Sequence, residues 1–169
     1  MSYYVGIPLI VILALIEASV LPLFRVAGLQ PNLVLVCLVA WLMVRGSTEA
    51  FVLIPVGGIA LGLVDGAPLG AALLALAPIA FLQEIRGSRL SESGLVLTIA
   101  FTVLMTLTYN GIYFLVYAGA GEAGSALSSL LDVMVPTTFL NVVTLAPVYL
   151  LLSLSNQGTR RSVYAEVGT

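Results

Sequence analysis

GLVLTIAFTVLMTLTYNGIYFLVYA, residues 94–118, contains no charged side chain. A helix of about 20 apolar residues crosses the roughly 30 Å hydrocarbon core of a bilayer, so this segment is long enough to span a membrane. The rest of the chain has the same character, because 60% of its 169 residues are hydrophobic and only 8% are charged. We therefore expect an all-α integral membrane protein.

Charged residues, glycines and prolines divide the remaining apolar sequence into further spans. Arg25 and Pro31 separate the first span from the second, and Arg45 with Gly46 separates the second from the third. We predict six transmembrane helices, at about 5–24, 32–44, 48–64, 69–85, 94–118 and 135–154.

These spans form one predicted membrane domain over residues 1–158, followed by a polar cytoplasmic tail over residues 159–169. Between the last two spans, leucines 127, 130 and 131 share one face of a short segment that also contains Asp132. That pattern predicts a separate helix lying on the membrane surface.

The arginines predict the orientation, because short cytoplasmic loops retain basic residues. Five of the six arginines fall in alternate loops that share a side with the N-terminus, and only Arg25 lies on the other side. Both chain ends are therefore expected in the cytoplasm. The five are Arg45, Arg86, Arg89, Arg160 and Arg161.

Glu17 is the one charged residue deep within a predicted span. An ionised carboxylate there costs about 2.5 kcal/mol or more, so such residues usually face a partner, a cavity or a proton relay. The alternative is a protonated Glu17 that is hydrogen-bonded to a neighbouring helix. The sequence leaves both interpretations open.

A polar stripe follows one side of the fifth span, where polar residues recur at four-residue steps and fall within about a third of the helix circumference. The last span has a narrower stripe of Thr137, Asn141 and Thr144. The stripes join the two helices by hydrogen bonds, line a binding cavity, or form a contact for another membrane protein. The stripe on the fifth span contains Thr98, Thr102, Thr106, Asn110, Tyr113 and Tyr117.

Glycines recur at every fourth residue from Gly58 to Gly70, through Gly62 and Gly66. Such a ridge of small residues lets two helix backbones approach closely, either within one chain or between chains. Asp65 and Gly66 begin a predicted tight turn inside this region.

The sequence offers little for catalysis. It has no His, one Cys, no Gly-x-Ser-x-Gly motif and no phosphate loop ending in Lys. A net charge of −2 with six dispersed arginines does not favour nucleic-acid binding. We predict no catalytic residue, no metal site and no cofactor, and we expect Cys37 to have a packing role.

The order of several short motifs resembles MreD, the rod-shape-determining membrane protein family, over nearly the whole chain. Members of that family often carry Asp where this chain has Asn32. The motifs are Pro31-Asn32-Leu33, Arg45-Gly46, Gly62-Leu63-Val64-Asp65, Pro68-Leu69-Gly70, and Asn141 followed by Pro147-Val148-Tyr149.

The resemblance implies a six-helix fold similar to the S component of energy-coupling-factor transporters, in the cytoplasmic (inner) membrane of a bacterium. It also implies a scaffold role in the cell-elongation complex that directs peptidoglycan synthesis and maintains rod shape. The implied partners are membrane lipid, MreC (a single-span protein with a coiled coil), the MreB filament, the RodA glycosyltransferase and a class B penicillin-binding transpeptidase.

A second hypothesis comes from the implied fold. An S component captures a vitamin or a metal in a cavity beneath its outer loops, and a shared fold does not fix the function. Bulky residues around Ala14 and Ala18 in the first span disfavour docking onto a coupling subunit, so the scaffold hypothesis is preferred.

Overall fold

The computed structural model describes residues 3–24, 28–64, 70–82, 94–119 and 126–167. Every regular element in these ranges is a helix, which confirms the all-α prediction for the described residues. We number the α-helices in chain order: α1 Tyr3–Ser19, α2 Leu33–Arg45, α3 Ser47–Val64, α4 Ala71–Leu76, α5 Gly94–Gly119 and α6 Ala126–Val167.

Short 3-10 helices extend two of these elements, Leu21–Phe24 after α1 and Ala77–Phe81 after α4. Pro22 and Pro78 lie within them and lack the N–H that a continuing α-helix needs, which accounts for the tighter geometry.

Three segments of the described residues are long and apolar enough to cross a membrane: Tyr4–Leu23, Gly94–Gly119 and Asp132–Ser155. Three shorter apolar segments accompany them: Leu33–Arg45, Thr48–Val64 and Ala71–Phe81. By length and composition the chain therefore has the helices of a membrane protein.

Helix α2 lies at the centre of the bundle. Nine consecutive residues, from Val34 to Leu42, are buried, and this run includes Cys37 and Trp41. A helix that is apolar on all sides lies either in the core of a protein or in a membrane, and the burial of these residues places α2 in the core. Because its 13 residues rise only about 20 Å, α2 is shorter than a bilayer core and is enclosed by other helices instead.

The other helices pack around α2. Helix α1 packs on α3, α3 on α4, α4 on α5 and α5 on α6, while α2 contacts α1, α3, α5 and α6. Gly57 of α3 makes one close approach possible, because a Cβ atom there would lie 2.9 Å from a methyl group of Val34. The absence of a side chain at Gly57 thus allows α3 to pack tightly on α2.

Helix α6 differs from the sequence expectation of a separate surface helix before the last span. It begins at Ala126 and continues through Pro136 and Pro147 to Val167, and so also includes most of the segment predicted as a tail. Membrane helices tolerate proline when neighbouring groups compensate for the lost hydrogen bond, so neither proline ends α6.

Candidate functional site

The polar residues of the bundle converge at the start of α2. The first backbone N–H groups of any helix lack partners within that helix. Here the Asn32 side chain accepts a hydrogen bond from the N–H of Leu35 at 2.7 Å, as an N-cap residue does. Glu17 Oε2 accepts a second from the N–H of Val34 at 3.1 Å. Together these two side chains satisfy donors that apolar surroundings would leave unpaired.

The same point joins α2 to two further helices. The backbone N–H of Asn32 donates to Asn141 Oδ1 at 2.7 Å, and Asn141 Nδ2 donates to Thr106 Oγ1 at 2.9 Å. All three residues are buried. This Asn32–Asn141–Thr106 network therefore connects α2, α6 and α5 inside the bundle.

Glu17 is also buried, with 5% of its surface exposed, and it contacts the beginning of α2 from the end of α1. The positive end of the α2 dipole stabilises a negative group at this position. Glu17 itself lies on α1, and one of its oxygens accepts a hydrogen bond from the backbone of the neighbouring helix α2. It also lines the polar cavity described below, so the structure contains a feature of each interpretation that the sequence left open.

Of the alternatives open for the polar stripe of α5, hydrogen bonding to α6 occurs at only one described position. The Thr102 hydroxyl donates to the carbonyl of Thr98, and the Thr106 hydroxyl to that of Thr102, each at 2.8 Å. Asn110 Nδ2 donates to the Thr106 carbonyl at 2.9 Å. Since Ser, Thr and Asn side chains can bond the preceding turn, most of the stripe is satisfied within α5. Thr106 also accepts the bond from Asn141 that crosses to α6.

A polar cavity of about 320 Å³ lies beside this network. The end of α1, the segment before α2, and the facing sides of α5 and α6 form its walls. In this cavity Tyr109 and Tyr113 stack with ring centroids 4.7 Å apart and planes 26° apart. The lining residues are Glu17, Gly28, Leu29, Gln30, Asn32, Thr106, Tyr109, Asn110, Tyr113, Val133, Thr137 and Asn141.

Several of these lining residues were not singled out from the sequence. Gln30 lies in the segment that leads into α2, and its side-chain oxygen is buried without a hydrogen-bond partner in the described part of the chain. The sequence feature that could have indicated Gln30 is its position just before Pro31, in the short connection between two spans. Tyr109 precedes Tyr113 by one helical turn, which is the spacing of a stacked pair.

The opposite end of α2 has a second polar cluster, which we call the Trp41 cluster. Trp41 Nε1 donates to Glu49 Oε2 at 3.1 Å, and the Arg45 guanidinium lies 4.7 Å from the centre of the Trp41 ring. Arg45 Nη2 donates to Ser155 Oγ of α6 at 2.8 Å. The two ends of the central helix are thus both tied to neighbouring helices by polar side chains.

The predicted glycine ridge separates into parts with different roles. Gly58 is buried, and a Cβ atom there would lie 2.6 Å from the Cα atom of Leu73, so α3 and α4 pack backbone to backbone. A Cβ atom at Gly62 would meet nothing within 4 Å. Gly70 has a φ of +92° at the start of α4, a conformation that favours glycine. Asp65 and Gly66 lie outside the described residues.

The last two candidates lie on α6. Pro147 is an exposed residue inside the helix, and Tyr149 is half-buried. The hydroxyl of Tyr149 would lie 3.0 Å from a Cβ atom placed on Gly94, so this ring packs against the first residue of α5. Neither residue contributes to the polar cavity.

No group of three or more His, Cys, Asp or Glu residues that could hold a metal ion occurs in the described ranges. The functional groups of the described residues that line the polar cavity are one carboxylate, amide groups, hydroxyls and aromatic rings. Such groups bind and orient a small molecule or a water cluster. Comparisons with protein-family models, with curated proteins and with solved structures return no match.

Proposed function

We propose that the chain is a non-catalytic membrane scaffold of the bacterial cell-elongation complex, which binds an MreC-like protein and helps to position peptidoglycan synthesis. The 2.7 Å hydrogen bond between Asn32 and Asn141 carries this proposal. These two residues belong to separate motifs of the resemblance to MreD, and they are 109 positions apart in the sequence. Their contact brings the two motifs together in the folded chain, and this supports the proposal.

The proposal includes a six-span bundle similar to an S component, in the inner membrane of a bacterium with both ends in the cytoplasm. The three shorter apolar helices, α2, α3 and α4 with its 3-10 extension, would complete the six. The burial of α2 supports this arrangement, because a helix enclosed by protein need not match the thickness of the lipid core.

The proposed surface for the partner is the exposed face of α3. Ile59 and Leu63 are 56% and 71% exposed there, and they separate two apolar depressions. One depression, of about 370 Å³, lies between α1 and α3, with Ala14 and Ala60 in its walls. The other, of about 140 Å³, lies toward α4 beside Gly62. A ridge between two grooves with small residues suits close packing against the single span of an MreC-like protein.

Affinity purification from membranes tests the scaffold role. The tagged chain should recover an MreC-like protein, and the MreB filament, RodA and the class B transpeptidase should follow as indirect partners. Recovery of none of these from a rod-shaped bacterium would refute the proposal.

Photo-crosslinking tests the surface. A photoreactive residue in place of Leu63 should cross-link to the MreC-like partner. The matched control is Leu151 of α6, which is 67% exposed and lies outside both depressions. Equal cross-linking from both positions would exclude α3 as the specific contact.

The polar cavity favours a second candidate, an S component that captures a vitamin or a metal for transport. Its volume lies at the lower end of the range for small-molecule sites. Tight binding of a radiolabelled vitamin by the purified chain, together with normal cell shape after deletion of the gene, would decide for transport. Loss of rod shape without vitamin binding would decide for the scaffold.

A further inference from the structure

Several polar groups around the polar cavity are already engaged within the bundle. Glu17 accepts an N–H group from the start of α2, and both ends of the Asn141 side-chain amide bond to other segments. A group that is hydrogen-bonded within the protein has less capacity left for a ligand. The atoms that can recognise a ligand therefore belong to other lining residues, namely Asn32, Asn110 and Thr137.

The two asparagine amides are oriented by bonds that they make to backbone groups. Asn32 Oδ1 accepts the N–H of Leu35, while its Nδ2 group donates to no acceptor in the described part of the chain. Asn110 Nδ2 donates to the carbonyl of Thr106, while its Oδ1 atom accepts from no donor there. Both residues line the cavity, and neither atom is fully enclosed by protein. The cavity therefore presents one oriented amide donor and one oriented amide acceptor.

Thr137 adds a hydroxyl group. The hydroxyls of Thr138 and Thr144 on the same helix donate to the carbonyl four residues earlier, at 2.7 and 2.8 Å. Thr137 is buried, with 9% of its surface exposed, yet its hydroxyl makes no hydrogen bond to the residues that the structure describes. A hydroxyl can both donate and accept, so this group can bond to a polar molecule in the cavity.

The Asn32–Asn141–Thr106 network brings these three residues to one region of the cavity. Asn32 bonds to Asn141 directly through its backbone N–H. Asn110 follows Thr106 by one turn of α5, and Thr137 precedes Asn141 by one turn of α6. The free groups are thus held by three segments that the network fastens together.

The charge and the aromatic surface of the cavity narrow the class of ligand. None of the described lining residues is Lys, Arg or His, so an anion has no positive side chain to pair with among them. The groups with bonding capacity left, two amides and a hydroxyl, are uncharged. The rings of Tyr109 and Tyr113 stack with centroids 4.7 Å apart and supply flat apolar surface. These features favour an uncharged, planar molecule with a donor and an acceptor.

We propose that the cavity binds a small uncharged carboxamide that carries an apolar or aromatic group. The carbonyl oxygen of the ligand accepts from Asn32 Nδ2, its N–H group donates to Asn110 Oδ1, and the Thr137 hydroxyl adds a bond to the same amide. The apolar group packs beside Tyr109 and Tyr113. A volume of about 320 Å³ accommodates a single ring with one amide group.

This inference goes beyond the scaffold role and does not depend on it. A chain that recovers its MreC-like partner could bind the amide or not, so the two proposals fail separately. If the chain is an S component, the inference names the class of its substrate.

The test uses the full-length chain in lipid nanodiscs, with empty nanodiscs as the blank, and three probes of one shape: benzamide, acetophenone and benzoate. Acetophenone keeps the carbonyl group and has a methyl group in place of the NH₂ group, whereas benzoate is an anion. Ligand-observed NMR titrations give their relative affinities. We expect benzamide to bind about tenfold more tightly than either of the others, because only benzamide satisfies both the donor and the acceptor.

Three outcomes overturn the proposal. The first is no binding of benzamide above the blank, which would mean that the cavity holds water alone. The second is equal binding of benzamide and acetophenone. The third is tighter binding of benzylamine, a cation of similar size, which would mean that the cavity selects positive charge.

A matched pair of variants locates the site. Thr137→Val removes a hydroxyl that makes no bond to the described residues, so it should preserve the fold and weaken benzamide binding about fivefold. The control is Thr138→Val, which removes the adjacent hydroxyl on α6, outside the cavity lining, and should leave the affinity unchanged. Equal affinities of the two variants refute the site.

A further variant tests the acceptor. Asn110→Leu removes the oxygen that accepts the N–H group of the ligand, so it should abolish the preference for benzamide over acetophenone. The same nanodisc titrations measure this ratio. A preference that persists in Asn110→Leu would refute the assigned orientation of the amide.

Discussion

Glu17 shows how a carboxylate can be accommodated among apolar helices. Its oxygen accepts the N–H of Val34 at the start of α2, where the helix dipole is positive. Without Glu17, the Val34 N–H group would be left without an acceptor in apolar surroundings, which costs free energy. Its burial therefore has a structural reason, in addition to any ligand that the cavity binds.

Replacement of Glu17 separates hydrogen bonding from charge. Glu17→Gln retains an acceptor for the Val34 N–H and should change the unfolding midpoint little. Glu17→Leu leaves that donor unpaired, at a cost of about 1–3 kcal/mol, and should lower the midpoint clearly. Thermal unfolding in a mild detergent measures both. Equal midpoints for the two variants would contradict this role.

The contact between Asn141 and Thr106 can be isolated by a double-mutant cycle. Asn141→Ala removes bonds to both Asn32 and Thr106, whereas Thr106→Val removes the one across to Asn141 together with its bond to the preceding turn. Hydrogen bonds between membrane helices average about 0.6 kcal/mol in such cycles and reach about 1.7. We expect a coupling free energy in the upper part of that range because both residues are buried. A coupling of zero would show that the bond adds nothing to the bundle.

At the level of helices, individual glycines of α3 determine where its backbone comes close to a neighbouring helix. Gly57 faces α2 and Gly58 faces α4, so two successive residues allow α3 to pack on both neighbours. Gly62, one turn later, has space around it. The regular four-residue spacing of the glycine ridge therefore does not imply one common role.

A pair of alanine substitutions tests this difference. Gly58→Ala places a Cβ atom 2.6 Å from the backbone of Leu73 and should separate α3 from α4, with a loss of about 1–3 kcal/mol from overpacking. Gly62→Ala meets no neighbour and should be neutral or slightly stabilising, since alanine favours helix by about 1 kcal/mol over glycine. Unfolding midpoints of the two variants in the same detergent give the comparison. A Gly58→Ala protein as stable as Gly62→Ala would mean that α4 can shift without cost.

Much of the helical arrangement is predictable because apolar runs and their boundaries are local features of the sequence. The run from Leu33 to Val44 has no polar face, a pattern that fits a lipid-facing span as well as a central helix, so the central position of α2 came from the structure. The continuous α6 was missed because the polar residues near Asp132 suggested a boundary that the helix does not have.

The polar cavity was only partly predictable. The stripe on α5 indicated which side faces the interior, since Thr98, Thr102 and Thr106 are all buried. Periodicity alone does not show whether a threonine hydroxyl bonds its own helix or another one. It also gives no information about which residues meet across distant segments, so the contact of Asn32 with Asn141 came from the structure.

For the whole molecule, the arginine distribution predicts that the loop around residue 91 faces the cytoplasm. The experiment replaces buried Cys37 by alanine, introduces Ser91→Cys as the single thiol, and labels intact cells with a membrane-impermeant maleimide. We expect no labelling until the cells are opened. A second single-thiol variant, Gly66→Cys in the predicted outer turn, should react in intact cells. Labelling of position 91 from outside would reverse the predicted orientation.

The long-range hydrogen bond of α2 also bears on how the protein is made. A ribosome completes α2 long before it reaches Asn141, so the nascent helix enters the membrane with the Asn32 N–H still lacking its acceptor. At 13 residues, α2 is also too short to be held firmly by lipid alone. We therefore expect its final placement to follow the synthesis of α5 and α6, on which it packs. A chain that ends before residue 141 should remain unassembled and be degraded by membrane proteases.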